Sequence, residues 1–233
     1  MAVVLLAVAC GGSAKLSLSA RAGPSVAGAA VASPTALTLS NGIVVNRVRV
    51  VISELKLETA TSAAALATIA ASADADGGTA EAPGEDEIEA GPFMLDLSGV
   101  ALDGTVQKVL DASFKPGTYN EIRFKIHKVS AAESTDAALK AMSDAGASII
   151  VEGTIDGAAY SFVSSLEAQQ KSEGAFDLTA DSNLTLNMDE SNWFGAGTAR
   201  LDPRAEANRS QIENNIKSSF RAFRDDNHDG HDD

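Results

Sequence analysis

One cysteine occurs in 233 residues, Cys10, so no internal disulfide can staple the chain. Basic residues are scarce: 18 Lys and Arg stand against 32 Asp and Glu, a formal net charge of −14, and no basic run occurs. Neutralising phosphates needs clustered Lys and Arg, which argues against nucleic acid as a partner and disfavours anionic membrane surfaces. Aromatics are few, at 5% of residues, so a core must come mainly from Val, Leu, Ile and the eight Phe. Of three histidines only His127 lies outside the last six residues, which leaves Ser-His-Asp or Cys-His schemes at most one base. G-x-S-x-G, P-loop and G-x-G-x-x-G motifs are all lacking.

What is present begins with an apolar fraction of 45%, enough for a real core and against disorder throughout. The first residues, Met1-Ala2-Val3-Val4-Leu5-Leu6-Ala7-Val8-Ala9-Cys10-Gly11-Gly12, form an apolar stretch too short to span a bilayer, ending in small residues before the cysteine. This resembles the end of a lipoprotein signal peptide. The resemblance implies that residues 1–10 carry signal and lipidated Cys10, that Gly11 and Gly12 begin a tether, and that the protein is exported and membrane-anchored by its lipid. The alternative reading of the residues is a buried first strand with a small core cysteine.

Further along, Lys15-Leu16-Ser17-Leu18-Ser19-Ala20-Arg21 alternates at period two, as a half-buried strand does. Residues 36–40 and 43–58 are β-branched, with Arg47 and Arg49 alternating against Val48 and Val50. Residues 59–91 change character, with an alanine-rich stretch at 63–71 followed by seven acidic residues spaced by Gly and Pro. A mobile insertion holding at most one short helix at 63–71 is expected there. Lys115-Pro116-Gly117 reads as a turn into the clearest strand, where Tyr119, Ile122, Phe124, Ile126 and Val129 share a face after a one-residue slip at Asn120-Glu121. A short helix is expected around 135–143, a hairpin turning at Asp156-Gly157, strands at 176–179 and 183–189, and Trp193 and Phe194 at the core edge. Past Asp202-Pro203 the period becomes helical, with Ile212, Ile216, Phe220 and Phe223 on one stripe. The domain reading is therefore a β-sandwich over 11–203, an amphipathic helix over 204–224 and an acidic tail over 225–233.

Two stretches carry a resemblance. Gly91-Pro92-Phe93-Met94-Leu95-Asp96-Leu97-Ser98-Gly99, then Phe114-Lys115-Pro116-Gly117-Thr118-Tyr119-Asn120-Glu121-Ile122-Arg123-Phe124, resemble the DUF4382 family of exported lipoproteins. Val48-Arg49-Val50-Val51-Ile52-Ser53-Glu54-Leu55 is similar to the strand ahead of that family's variable insertion. The likeness covers about residues 14–165 and implies a mainly β fold, an immunoglobulin-like or carboxypeptidase-regulatory-like antiparallel sandwich. It brings no activity with it.

The tail Asp225-Asp226-Asn227-His228-Asp229-Gly230-His231-Asp232-Asp233 fits the pattern D-x-N-x-D-G-x-x-D and resembles thrombospondin type 3 and dockerin-like calcium loops. Hard oxygen donors would come from the side chains of Asp225, Asn227, Asp229 and Asp233 and from the His231 carbonyl, with Gly230 at the sharp turn. The chain stops before the twelfth loop position, so calcium affinity should be weak, on the order of 10⁻⁴ to 10⁻³ M. A frayed acidic terminus that binds nothing is the plain alternative. A transition-metal pair, His228 and His231, is a further one.

These features favour a non-enzymatic envelope lipoprotein with a binding, adhesion or scaffold role, its protein or glycan ligand unspecified, and weak calcium at the tail. The runner-up is a calcium-dependent carbohydrate- or peptide-binding module. Third comes a periplasmic hydrolase working with a carboxylate pair, although no pair is singled out by spacing.

Overall fold

A computed structural model describes residues 14–23, 36–59, 88–134, 136–178, 182–196 and 199–233. Cys10, the signal segment 1–10 and most of the 59–91 insertion, including the short helix expected at 63–71, lie outside the described residues.

The fold is mainly β. Its strands are β1 (Ala14–Ala22), β2 (Leu37–Thr38), β3 (Val44–Thr59), β4 (Ile88–Ala90), β5 (Phe93–Ser98), β6 (Gln107–Phe114), β7 (Gly117–Ile126), β8 (Ile149–Ile155), β9 (Ala158–Ser164), β10 (Ala168–Leu178), β11 (Asn183–Met188) and β12 (Phe220–Arg224). Helix α1 spans Ala137–Asp144 and α2 spans Arg209–Lys217. Two sheets form a sandwich, one ordered β12-β11-β1-β6 and the other β10-β7-β3-β8-β9.

The sixteen residues of β3 organise the larger sheet. One edge pairs with β8 over Val44–Val50 and then with β7 over Ile52–Thr59, while β2, β5 and β4 share the other edge. Val48, Val50 and Ile52 point into the sandwich, and Val51 points out to Leu139 and Met142 of α1, which explains the unbroken apolar run there. Asp136 caps α1 by accepting from the amides of Ala138 and Leu139 at 2.8 Å. The expected slip is present too: Glu121 sits opposite Glu58 and Tyr119 opposite Thr59, leaving Asn120 as the bulge. Lys115 and Pro116 carry the chain from one sheet to the other, where the Tyr119 hydroxyl donates back to the Lys115 carbonyl at 2.6 Å. That bond has the form of the tyrosine corner found in Greek-key sandwiches. Asp156 and Gly157 both take positive φ, 52° and 77°, as a two-residue hairpin turn demands.

Several expectations are corrected. The insertion is shorter than 59–91, because Thr59 belongs to β3 and β4 pairs with Leu55–Leu57. Strand β10 begins at Ala168 rather than 176; its first residues are polar and lack the apolar alternation that marks a strand in sequence. The sandwich is not wholly antiparallel, since β1 and β11 run parallel, a pairing between distant parts of the chain that no hairpin constrains. The helix over 204–224 is two elements: α2 ends at Lys217, and Phe220-Arg221-Ala222-Phe223-Arg224 forms β12 on the edge of β11. Ile212, Ile216 and Phe220 keep their spacing of four because Ile212 and Ile216 are on the helix and Phe220 is the next inward position of a strand.

The core includes Leu16, Leu18, Ala20 and Ala22 of β1 and Leu184, Leu186 and Met188 of β11, together with the inner faces of β3, β7 and β8. Trp193 and Phe194 lie inside this core rather than at its rim, and the Trp193 indole donates to Ser219 Oγ at 2.7 Å.

Candidate functional site

Every residue of β11 is buried, and so are Ser19 and Arg21 beside it on β1. The inward residues of these two strands are apolar; the outward ones are Ser19, Arg21, Asn183, Thr185 and Asn187. Period-two patterning alone makes that outer face a wet surface. The final nine residues lie over it and bury it.

Asp225 holds the two together. Its side chain is 0% exposed and accepts from Thr185 Oγ1 at 2.7 Å and from the Gly230 amide at 3.2 and 3.3 Å. Its main chain exchanges bonds with Asn183, whose Nδ2 donates to the Asp225 carbonyl at 2.8 Å and whose carbonyl accepts the Asp225 amide at 3.0 Å. The Asn183 amide donates to Asp226 at 2.9 Å. Burial pushes the Asp226 carboxyl up, but the hydrogen bonds from Arg224 and from Asn183 outweigh this and hold it below the usual carboxylate range.

The other expected donors stand on the outer rim of the same loop. Asn227 Oδ1 accepts the Asp229 amide at 2.8 Å, Asp229 Oδ1 accepts the His231 amide at 2.9 Å, and Asn227 Nδ2 reaches Asp233 at 2.9 Å. These side-chain turns fold the nine residues into one compact loop. The His231 ring places Nδ1 at 3.1 Å from the Asp229 carbonyl and 3.2 Å from its carboxylate. His228 takes a positive φ of 58°. Among the described residues no three His, Cys, Asp or Glu side chains are gathered as a metal centre. Cys10 lies outside the described residues, so its role is untouched by this geometry.

The residues that the sequence does not single out are Arg21, Asn183, Thr185 and Glu190. Glu190 follows β11 with 0% exposure, and its Oε2 accepts the Gly23 amide at 2.6 Å. Burial pushes its carboxyl up to about 8, against the lowering effect of nearby amides and of Arg21. Its only sequence signal is an acid inside the Asp189-Glu190-Ser191 turn, which reads as solvated.

Among the described residues, clefts open on the surface at two places that bear on the expected site residues and on His127. One, of about 680 Å³, runs beside β12 and is lined by Lys171, Asn187, Asp189, Arg221, His231 and Asp232. The other, of about 550 Å³, holds His127 with Glu54, Glu133 and Glu167. His127 Nδ1 lies 3.1 Å from Glu167, and Glu54 is paired with Lys125 at 2.6 Å. The one large apolar side chain exposed among the described residues is Val163, at 37%. No family model matches the chain, and neither does any curated protein or solved structure.

Proposed function

We propose that the chain is a non-enzymatic lipoprotein of the cell envelope, exported and held to the membrane by a lipid on Cys10, with a sandwich that serves binding, adhesion or assembly. In this reading the tail loop takes up calcium weakly. The observation that supports it is the folded state of residues 225–233: the D-x-N-x-D-G segment makes the side-chain turns that bring its oxygens onto one short loop. The donor set is hard oxygen, which suits calcium. Asp229, Asn227 and Asp233 with the His231 carbonyl would hold the ion from the outer rim, and Asp225 from beneath.

Calcium titration by calorimetry, with thermal unfolding, tests the ion on the full chain and on the double variant Asp229→Ala, Asp233→Ala. Asp225 is left intact because it also anchors the loop to Thr185. Saturable uptake with a raised Tm, lost in the variant, is expected; identical curves would remove calcium from the reading. The anchor has its own test. Cys10→Ser should abolish incorporation of labelled fatty acid and move the protein from the membrane pellet to the supernatant, and an unchanged pellet fraction would sink the anchor.

The cleft beside His231 and Asp232 favours one second reading, a calcium-dependent carbohydrate- or peptide-binding module. Glycan-array binding that disappears in chelator would favour it over the scaffold role.

A further inference from the structure

Arg21 is the most buried cation of the described chain, at 3% exposure, and it comes from the outer face of β1 in register with Asn187. Burying a guanidinium is costly unless hydrogen bonds and opposite charge meet it. Here it lies in a slot between two glycine turns. Nη1 donates to the Gly230 carbonyl of the tail, and a Cβ built on Gly230 would fall 2.3 Å from Nη1 and 3.0 Å from Cζ. On the other side, a Cβ on Gly104 would fall 3.1 Å from Nη2. Gly230 is thus gripped twice, its carbonyl by Arg21 and its amide by the buried carboxylate of Asp225. The planar guanidinium holds its donors in one rigid plane that fits a slot between two turns, whereas an ammonium is a compact point charge on a flexible stem.

We propose that Arg21 is the resident cation of the C-terminal loop, a clasp that fastens residues 225–233 over β1 and β11 with no metal ion required. β1 supplies this loop with a buried cation from inside the fold, and that cation meets it on the Gly230 carbonyl. The clasp stands whether or not the outer rim takes up calcium, so the two ideas fail separately.

Hydrogen exchange of the full chain in chelator tests it, comparing the amides of Asp225, Gly230 and Asp233 with those of β3 and β7. In the wild type the tail amides are expected to be protected without calcium. Arg21→Gln should lower that protection about tenfold or more while β3 and β7 keep theirs, the scale of one lost charge-assisted bond. Arg21→Lys keeps the charge but loses the fork, and it should lower tail protection as well; it carries the decision if Arg21→Gln does not fold. A tail that is as protected in the variants as in the wild type would overturn the clasp. So would a wild-type tail that is unprotected in chelator and becomes protected only on adding calcium, which would hand the fastening to the metal.

Discussion

Glu190 is where a single side chain sets a pH dependence. In an unfolded chain its carboxyl titrates near 4.5, and in the folded protein burial raises it to about 8. A carboxyl raised by folding contributes stability that is fully present below the unfolded value and is lost as pH climbs through the folded one. Between about pH 5 and 8, Glu190 therefore subtracts on the order of 1.4 kcal/mol per pH unit. Glu190→Gln keeps an oxygen for the Gly23 amide and removes the titration. Its Tm is expected to fall less than that of the wild type from pH 5 to pH 8, so that the two curves converge or cross. Parallel Tm profiles over that range would mean that the carboxyl is not held neutral by the fold. Such a residue is illegible in sequence, because an acid between Asp189 and Ser191 has the composition of an exposed turn, and only the return of β1 to its side buries it.

Elements are legible where their rule is local. The hairpin at Asp156-Gly157 and the bulge at Asn120 follow from neighbours in the chain, and each lies where the residues place it. The end of the chain misleads because Ile212, Ile216 and Phe220 fit a helical stripe, while Phe220-Arg221-Ala222-Phe223-Arg224 also fits a strand. Tertiary context decides: β11 needs a partner for its free edge, and β12 supplies one. The two readings differ over Phe220 and Phe223, which would share a buried stripe on a helix and face opposite sides of a strand. Phe220 is 5% exposed, with its ring 6.2 Å from Phe124 and 6.4 Å from Trp193. Phe223 is only half-buried, against the cleft. Phe220→Ala should cost about 3 to 5 kcal/mol in urea unfolding, and Phe223→Ala less than about half of that. Equal losses would contradict the strand.

At the scale of the molecule, the sandwich and its core are legible as alternation and the candidate site is not, because the site is assembled across the whole chain. Ser19 meets Asn183 at a separation of 164 residues, and Arg21 meets Gly230 at 209. The tail's pattern of oxygens is visible in sequence; the face it covers is not, since polar residues on alternate positions of β1 and β11 look solvent-facing until something lies on them. The nature of that cover makes a prediction. None of residues 225–233 belongs to the apolar core, and what they bury is polar, with Asn183 and Thr185 bonded to them. A chain ending at Arg224 would lose the bonds to Asn183, Thr185 and Arg21, each of net worth about 0.5 to 1.5 kcal/mol, or up to about 3 where a charge is involved, with water taking over the exposed groups. Its urea midpoint should drop by the equivalent of a few kcal/mol. The slope of the transition should hardly change, because little apolar area is uncovered. Strand content by circular dichroism should persist. A truncated chain that unfolds non-cooperatively would make the tail part of the folding unit itself, and one with an unaltered midpoint would mean that the polar interface adds nothing once water replaces it.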